Sequence, residues 1–195
     1  MKGNCLLGLM LAAVLGVARA EGLQVATEYE YLKYSDTGVT NQAFSIIPGW
    51  RFPEDQFLSR VELLLEANQD SRPDVHASPY TETKVFVRLR HSGELTEQLG
   101  YYIRGGLGRS LNNLQNFNYG YIEPALEYSF NEHWDGVLGF RQTNAIDGAP
   151  GQRLGEIRFG PDWNISKHHS LEIRYARGTG DVRETTWVLE YVHRP

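Results

Sequence analysis

Cysteine is almost absent. Cys5 is the single one in 195 residues, and it lies in an N-terminal stretch with the marks of a leader. Lys2 gives that stretch a positive start, Leu6 to Val17 an apolar run, and Ala18-Arg-Ala20 a small-x-small end. This is the pattern of a secretory signal peptide, 1–20, and cleavage would leave 21–195 as one folded unit without a thiol. Disulfides and thiol catalysis are then excluded. Cys5 precedes the apolar run instead of following it, so it cannot serve as a lipoprotein anchor. Charge of one sign is also in short supply. Lys and Arg number 19 against 24 Asp and Glu, a formal charge of −5. Without Lys2 and Arg19 it is about −7, which offers nucleic acid no global attraction.

Long hydrophobic runs are missing beyond the leader. Mean hydropathy is −0.42, and no second apolar stretch approaches the roughly 20 residues of a spanning helix. That alone points to a soluble exported protein. It does not exclude spanning strands, because in a membrane barrel only alternate residues face lipid and each segment signals weakly.

What is present is alternation. In Leu171-Glu-Ile-Arg-Tyr-Ala-Arg, the residues Leu171, Ile173 and Tyr175 share one face while Glu172, Arg174 and Ala176 share the other. After a break at Gly178-Thr-Gly-Asp181, Trp187, Leu189 and Tyr191 alternate with Thr186, Val188 and Glu190. Period two is the signature of a strand. The polar face carries both signs, as expected where apolar side chains face lipid and charges pair inside a closed barrel.

Ten such segments are predicted, at 23–34, 42–52, 57–67, 82–91, 97–108, 117–130, 133–143, 152–165, 169–178 and 184–193. A count of eight or twelve is also compatible. The fold class is all-β, a single antiparallel up-and-down barrel. Ser35–Asn41, Asn68–Thr81, Arg109–Asn116, Asn144–Gly151 and Thr179–Arg183 read as the longer connections. Pro53–Gln56, Ser92–Thr96, Asn131-Glu132 and Ser166–His168 read as tight turns. Loops on one side and short turns on the other are how outer-membrane barrels alternate.

The charged face collects Glu28, Arg51, Glu62, Arg88, Arg90, Arg104, Glu123, Glu127, Arg141, Glu156, Arg158, Glu172, Arg174 and Glu190. These are the candidate lumen residues, with acidic strands beside basic ones so that opposite charges stabilise their pairing. Glu30, Glu66, Lys84 and Asp162 share the same parity. Aromatics near strand ends suggest two girdles. Trp50, Phe57, Phe130, Trp134, Trp163 and Tyr191 fall at one rim, and Tyr31, Phe44, Tyr119, Tyr175 and Trp187 at the other. Pro48, Pro124 and Pro161 lie inside strands, where bulges are expected to absorb the lost donor.

These features resemble the small Gram-negative outer-membrane β-barrel proteins. The resemblance spans the chain after the leader. The C-terminal strand fits the hydrophobic-x-aromatic assembly signal at Leu189-Glu-Tyr191, with Glu184 as its polar start. It departs at Thr186, where glycine is usual, and in running on through Val192-His-Arg-Pro195. The arginines also resemble the lumen tracks of monomeric porins for acidic oligosaccharides. The resemblance implies insertion among outer-membrane lipid and lipopolysaccharide and recognition of the last strand by barrel-assembly machinery.

Arginine's fixed fork suits carboxylates and phosphates, so an arginine-lined lumen implies a narrow channel for small polar or anionic solutes. The competing reading is that each arginine is neutralised by a neighbouring glutamate. Eight strands are just filled by side chains and sixteen leave an aqueous channel, so ten lies near the filled end. Two further readings stay open. One is a non-conducting structural or adhesive barrel acting through loops such as Asn68–Thr81; the other is a soluble lipocalin-like binding barrel. Catalysis is not expected, because His91-Ser92 and His169-Ser170 place neighbours on opposite faces. No cofactor or metal is implied. Gly105-Gly-Leu-Gly108 reads as a strand-end cluster with no helix after it, not a phosphate loop.

Overall fold

The computed structural model describes residues 22–34, 38–53, 56–70, 81–112, 116–147, 153–179 and 184–195. The N-terminal stretch expected to be a leader and the centre of the longest loop, with Pro73, Pro79 and Tyr80, lie outside them. Ten strands account for nearly everything described: β1 (Leu23–Tyr34), β2 (Thr40–Arg51), β3 (Arg60–Asp70), β4 (Thr81–Glu94), β5 (Leu99–Asn112), β6 (Phe117–Asn131), β7 (Trp134–Ala145), β8 (Arg153–Ser166), β9 (His169–Gly178) and β10 (Glu184–His193). Each pairs antiparallel with its chain neighbours, and β1 pairs with β10 to close the barrel. Closure leaves no unpaired edge.

The two-face reading holds. Leu63, Val87, Ile103, Ile122, Leu138, Phe159, Ile173 and Leu189 point outward and stay exposed, whereas Glu62, Arg88, Arg104, Glu123, Arg158, Arg174 and Glu190 are buried inside. Burial is thus inverted relative to a water-soluble domain, where large apolar side chains fill the core. Continuous exposed apolar surface of this kind marks a face made for something other than water.

The aromatic rims also form. Trp134 and Trp163 stack with centroids 5.6 Å apart at the short-turn end, and Phe159, Tyr175 and Trp187 follow one another near the other end at 5.2 and 4.9 Å. Tyr119 is a correction. It shares parity with Tyr121 and Glu123 and therefore points inward, packed with the interior cluster of Ala26, Ile47, Leu64, Phe86 and Val192.

Two further expectations change. The second connection is Phe52–Ser59, longer than the tight Pro53–Gln56 turn, because β3 begins at Arg60. No bulge forms at the prolines. Pro48 keeps its partner Val25 on β1 while pairing with β3 lapses between Ile46 and Gly49, and the register resumes unchanged. Pro124 and Pro161 behave alike, keeping Ile103 and Gly136 and losing pairs on the other side. A proline has no N–H to give, so one side of the ladder opens for two residues. Register shifts occur instead at Ser129/Asn131 and Asn164/Ser166, beside tight turns.

Candidate functional site

The barrel interior is the candidate site, and its register arranges charge in rows. Arg51, Arg60, Arg90 and Arg104 face one another in sequence across β2, β3, β4 and β5. On the far side Asp135, Asp162, Glu172, Glu190 and Glu28 face one another across β7, β8, β9, β10 and β1. Like charges directly opposite are destabilising, so both rows must find partners off the row.

The basic row does so by reach. Arg104 faces Glu123 on β6 and donates Nη2 to its Oε1 at 2.8 Å. Tyr102 donates its hydroxyl to the same oxygen at 2.9 Å. Arg141 Nε and Arg158 Nη1 donate to Glu123 Oε2 at 2.6 and 3.1 Å. Four donors fill the roughly four acceptor positions of one carboxylate, and Glu123 is only 1% exposed. Arg158 comes from two strands away, past the inward-facing Gly139 that lies opposite it on β7. Arg90 crosses β5 in the same way, with Nη2 2.8 and 2.9 Å from the two oxygens of Glu127 and its guanidinium 4.1 Å from the Tyr102 ring centroid.

A second hub forms on Glu62. Gln24 Nε2 and Arg60 Nη1 donate to Oε1 at 2.9 and 3.2 Å, and Arg88 Nε donates to Oε2 at 2.8 Å. Arg88 Nη2 lies 3.7 Å from Glu190. Toward the long-loop end Lys84 donates to Glu66 at 2.7 Å and lies 3.5 Å from Glu82, which also accepts from Ser110 and Asn68. In the acidic row Arg174 binds Asp162 and reaches Glu172 at 3.3 Å. Its Nη1 also reaches the Pro161 and Ile173 carbonyls, at 3.2 Å each, where the β8–β9 ladder lapses.

An apolar layer crosses the interior near Phe86. A Cβ at Gly108 would come within 2.1 Å of the Phe86 ring, and one at Gly106 within 2.6 Å. Those glycines lie inside β5, not at its end, and they let Phe86 lie across the strand to stack on Tyr119 and Tyr121 at 5.2 and 5.0 Å.

Of the fourteen sequence-derived candidates, Glu62, Arg88, Arg104, Glu123, Arg141 and Arg158 gather into the two hubs, Arg90 and Glu127 form a pair, and Arg174 and Glu172 form another. Glu190 has its longer contact to Arg88. Glu28 and Glu156 are buried and make no hydrogen bond or ion pair among the described residues, and Arg51 is exposed at the end of β2. Sequence reasoning missed Arg60, Gln24, Tyr102, Glu82 and Glu184. Parity alone marks them: each lies an even number of residues from a recognised inward position on its own strand.

No protein-family model matches the chain, and no curated protein matches it by sequence. Solved structures do match its fold. The chain is similar to the translocator domain of the autotransporter NalP from Neisseria meningitidis, with TM-score 0.53 and 11% identity over 97% of this chain and 95% of that one. The NanC porin gives TM-score 0.48 at 10% identity over 89% and 99%. The KdgM porin in complex with disordered oligogalacturonate gives 0.47 at 7% over 87% and 98%. The structural neighbours are outer-membrane β-barrels, and this chain, a closed ten-stranded antiparallel barrel, has their fold.

Proposed function

We propose that this protein is an outer-membrane β-barrel with a closed interior, serving as a structural or adhesive element through its long-loop end rather than as an open pore. The observation that carries this is that each of the main interior cations reaches a carboxylate. Arg88 and Arg158 are 2% and 4% exposed, and Arg60, Lys84, Arg88, Arg90, Arg104, Arg141, Arg158 and Arg174 all have a carboxylate within 3.3 Å. The Phe86–Tyr119–Tyr121 layer lies beside them, and on this reading side chains fill the ten-stranded interior as they do an eight-stranded one. The outward apolar belt meets lipid and lipopolysaccharide, and β10, which closes the barrel on β1, is what assembly machinery would recognise. No catalytic role and no nucleic-acid partner belong to this reading.

The test is planar-bilayer recording of the purified barrel, after showing that it fractionates with the outer membrane and migrates heat-modifiably. A flat trace is expected; stable conductance steps would overturn the closed reading. Recovery as a detergent-free soluble protein would overturn the membrane reading and favour the lipocalin-like one.

A second reading, a narrow porin-like channel for small anionic solutes, is favoured by one observation. Three arginines converge on the single carboxylate of Glu123, and Arg104 Nε and Arg158 Nε have no acceptor. That leaves a local excess of positive charge. On this reading Arg88→Ala with Arg104→Ala shifts the reversal potential toward cations, and unchanged selectivity would discard it.

A further inference from the structure

The interior carboxylates are not all served. Glu156 on β8 and Glu184 at the start of β10 are 6% and 4% exposed; no hydrogen bond or ion pair joins either to another described residue, and Glu184 Oε1 is sealed from solvent without a partner. The cations nearest them in the fold are occupied. Arg141 faces Glu156 across β7 and β8, but gives its Nε to Glu123 at 2.6 Å. Lys84 is taken by Glu66 and Glu82. A buried carboxylate without a partner is costly enough that something must neutralise it.

The register brings the two together. Glu156 faces Gly178 on β9. Thr185 faces Arg177, so Glu184 stands level with that same glycine from the other side. Two strand spacings separate their backbones by about 10 Å, and the residue between has no side chain. Thr186, two residues on from Glu184 and also inward, is 3% exposed, and its hydroxyl oxygen has no partner. This is a neutral oxygen ligand beside the acidic pair, at the long-loop end of the interior.

We propose that Glu156, Glu184 and Thr186 hold a hydrated divalent cation, Mg²⁺ or Ca²⁺. Two carboxylates and one hydroxyl suit an ion that keeps several waters and binds through one or two carboxylates. The consequence is local: at the long-loop end the unserved charge is acidic and favours cations, whereas the Glu123 hub carries an excess of arginine. The inference rests on the inward register and holds whether or not the barrel conducts.

The test uses the purified, folded barrel in detergent, stripped with chelator, with thermal unfolding followed against MgCl₂ and CaCl₂ at constant ionic strength set by KCl. The unfolding temperature of the unaltered chain should rise and saturate at millimolar ion. Glu156→Gln with Glu184→Gln should start higher without metal and lose the rise, while Glu28→Gln should keep it. No response of the unaltered chain, or a response that survives the double substitution, would overturn the site. Stabilisation by acid alone, with none by metal, would assign the neutralising charge to protons and overturn it as well.

Discussion

The two charged rows inside the barrel have the same geometry and opposite outcomes. Both place like charges face to face on successive strands. In the basic row Arg60, Arg90 and Arg104 each end on a carboxylate, Arg90 by crossing a whole strand to Glu127. In the acidic row Arg174 serves Asp162 and Glu172, Arg88 approaches Glu190 only to 3.7 Å, and Glu28 is left without a partner. The difference is side-chain length. An arginine can leave its own row to find an acceptor, whereas a glutamate must wait for a cation to arrive. A lumen rich in arginine therefore need not attract anions, because its arginines are the first charges to be consumed.

The strongest way to break this contrast is to remove the shared acceptor. Glu123→Gln strands Arg104, Arg141 and Arg158 together and should cost about 3–5 kcal/mol, the range for breaking a buried pair. Urea unfolding in detergent or lipid would measure it. If the substitution proves neutral, the arginines are solvated and the interior is open after all.

Next comes the face assignment on which both rows depend. Leu63→Arg, outward near the middle of β3, should cost about 2–4 kcal/mol in a bilayer. It should impair assembly, read as loss of heat-modifiable migration. An inward Glu28→Gln, with no ion pair among the described residues to lose, should still assemble.

Packing between the rows is sharpened by Gly108→Ala. The added methyl meets the Phe86 ring and the Val85 carbonyl, and overpacking of this kind costs about 1–3 kcal/mol. The smallest effect is expected in the acidic row. Glu28→Gln removes one like-charge facing with Glu190 and should stabilise by about 0.2–1 kcal/mol, measured in the same urea titration. Destabilisation would mean that Glu28 has a cation of its own.

Alternation carried most of the fold in the sequence. Ten of the fourteen named candidates end in opposite-sign pairs, and ten strands were countable because charges and apolar residues trade places every second position. What alternation cannot carry is reach. That Arg158 ends on Glu123 two strands away depends on Gly139 leaving space between them, and no spacing within one strand announces it. Strand ends were blurred for a related reason. Phe57 is outward and aromatic like a strand residue, yet it stacks on the His91 ring at 4.7 Å from within the connection before β3. Tyr119 was misplaced because its position near the start of β6 weighed more than its parity with Glu123.

The join between β1 and β10 has a kinetic meaning. It unites the first and last strands of the chain, and along it Glu28 meets Glu190 across the ladder. A ring that closes there must push two carboxylates together, with a guanidinium 3.7 Å from one of them. Closing is therefore slowed by repulsion that salt can screen, and refolding from urea into detergent should quicken as ionic strength rises.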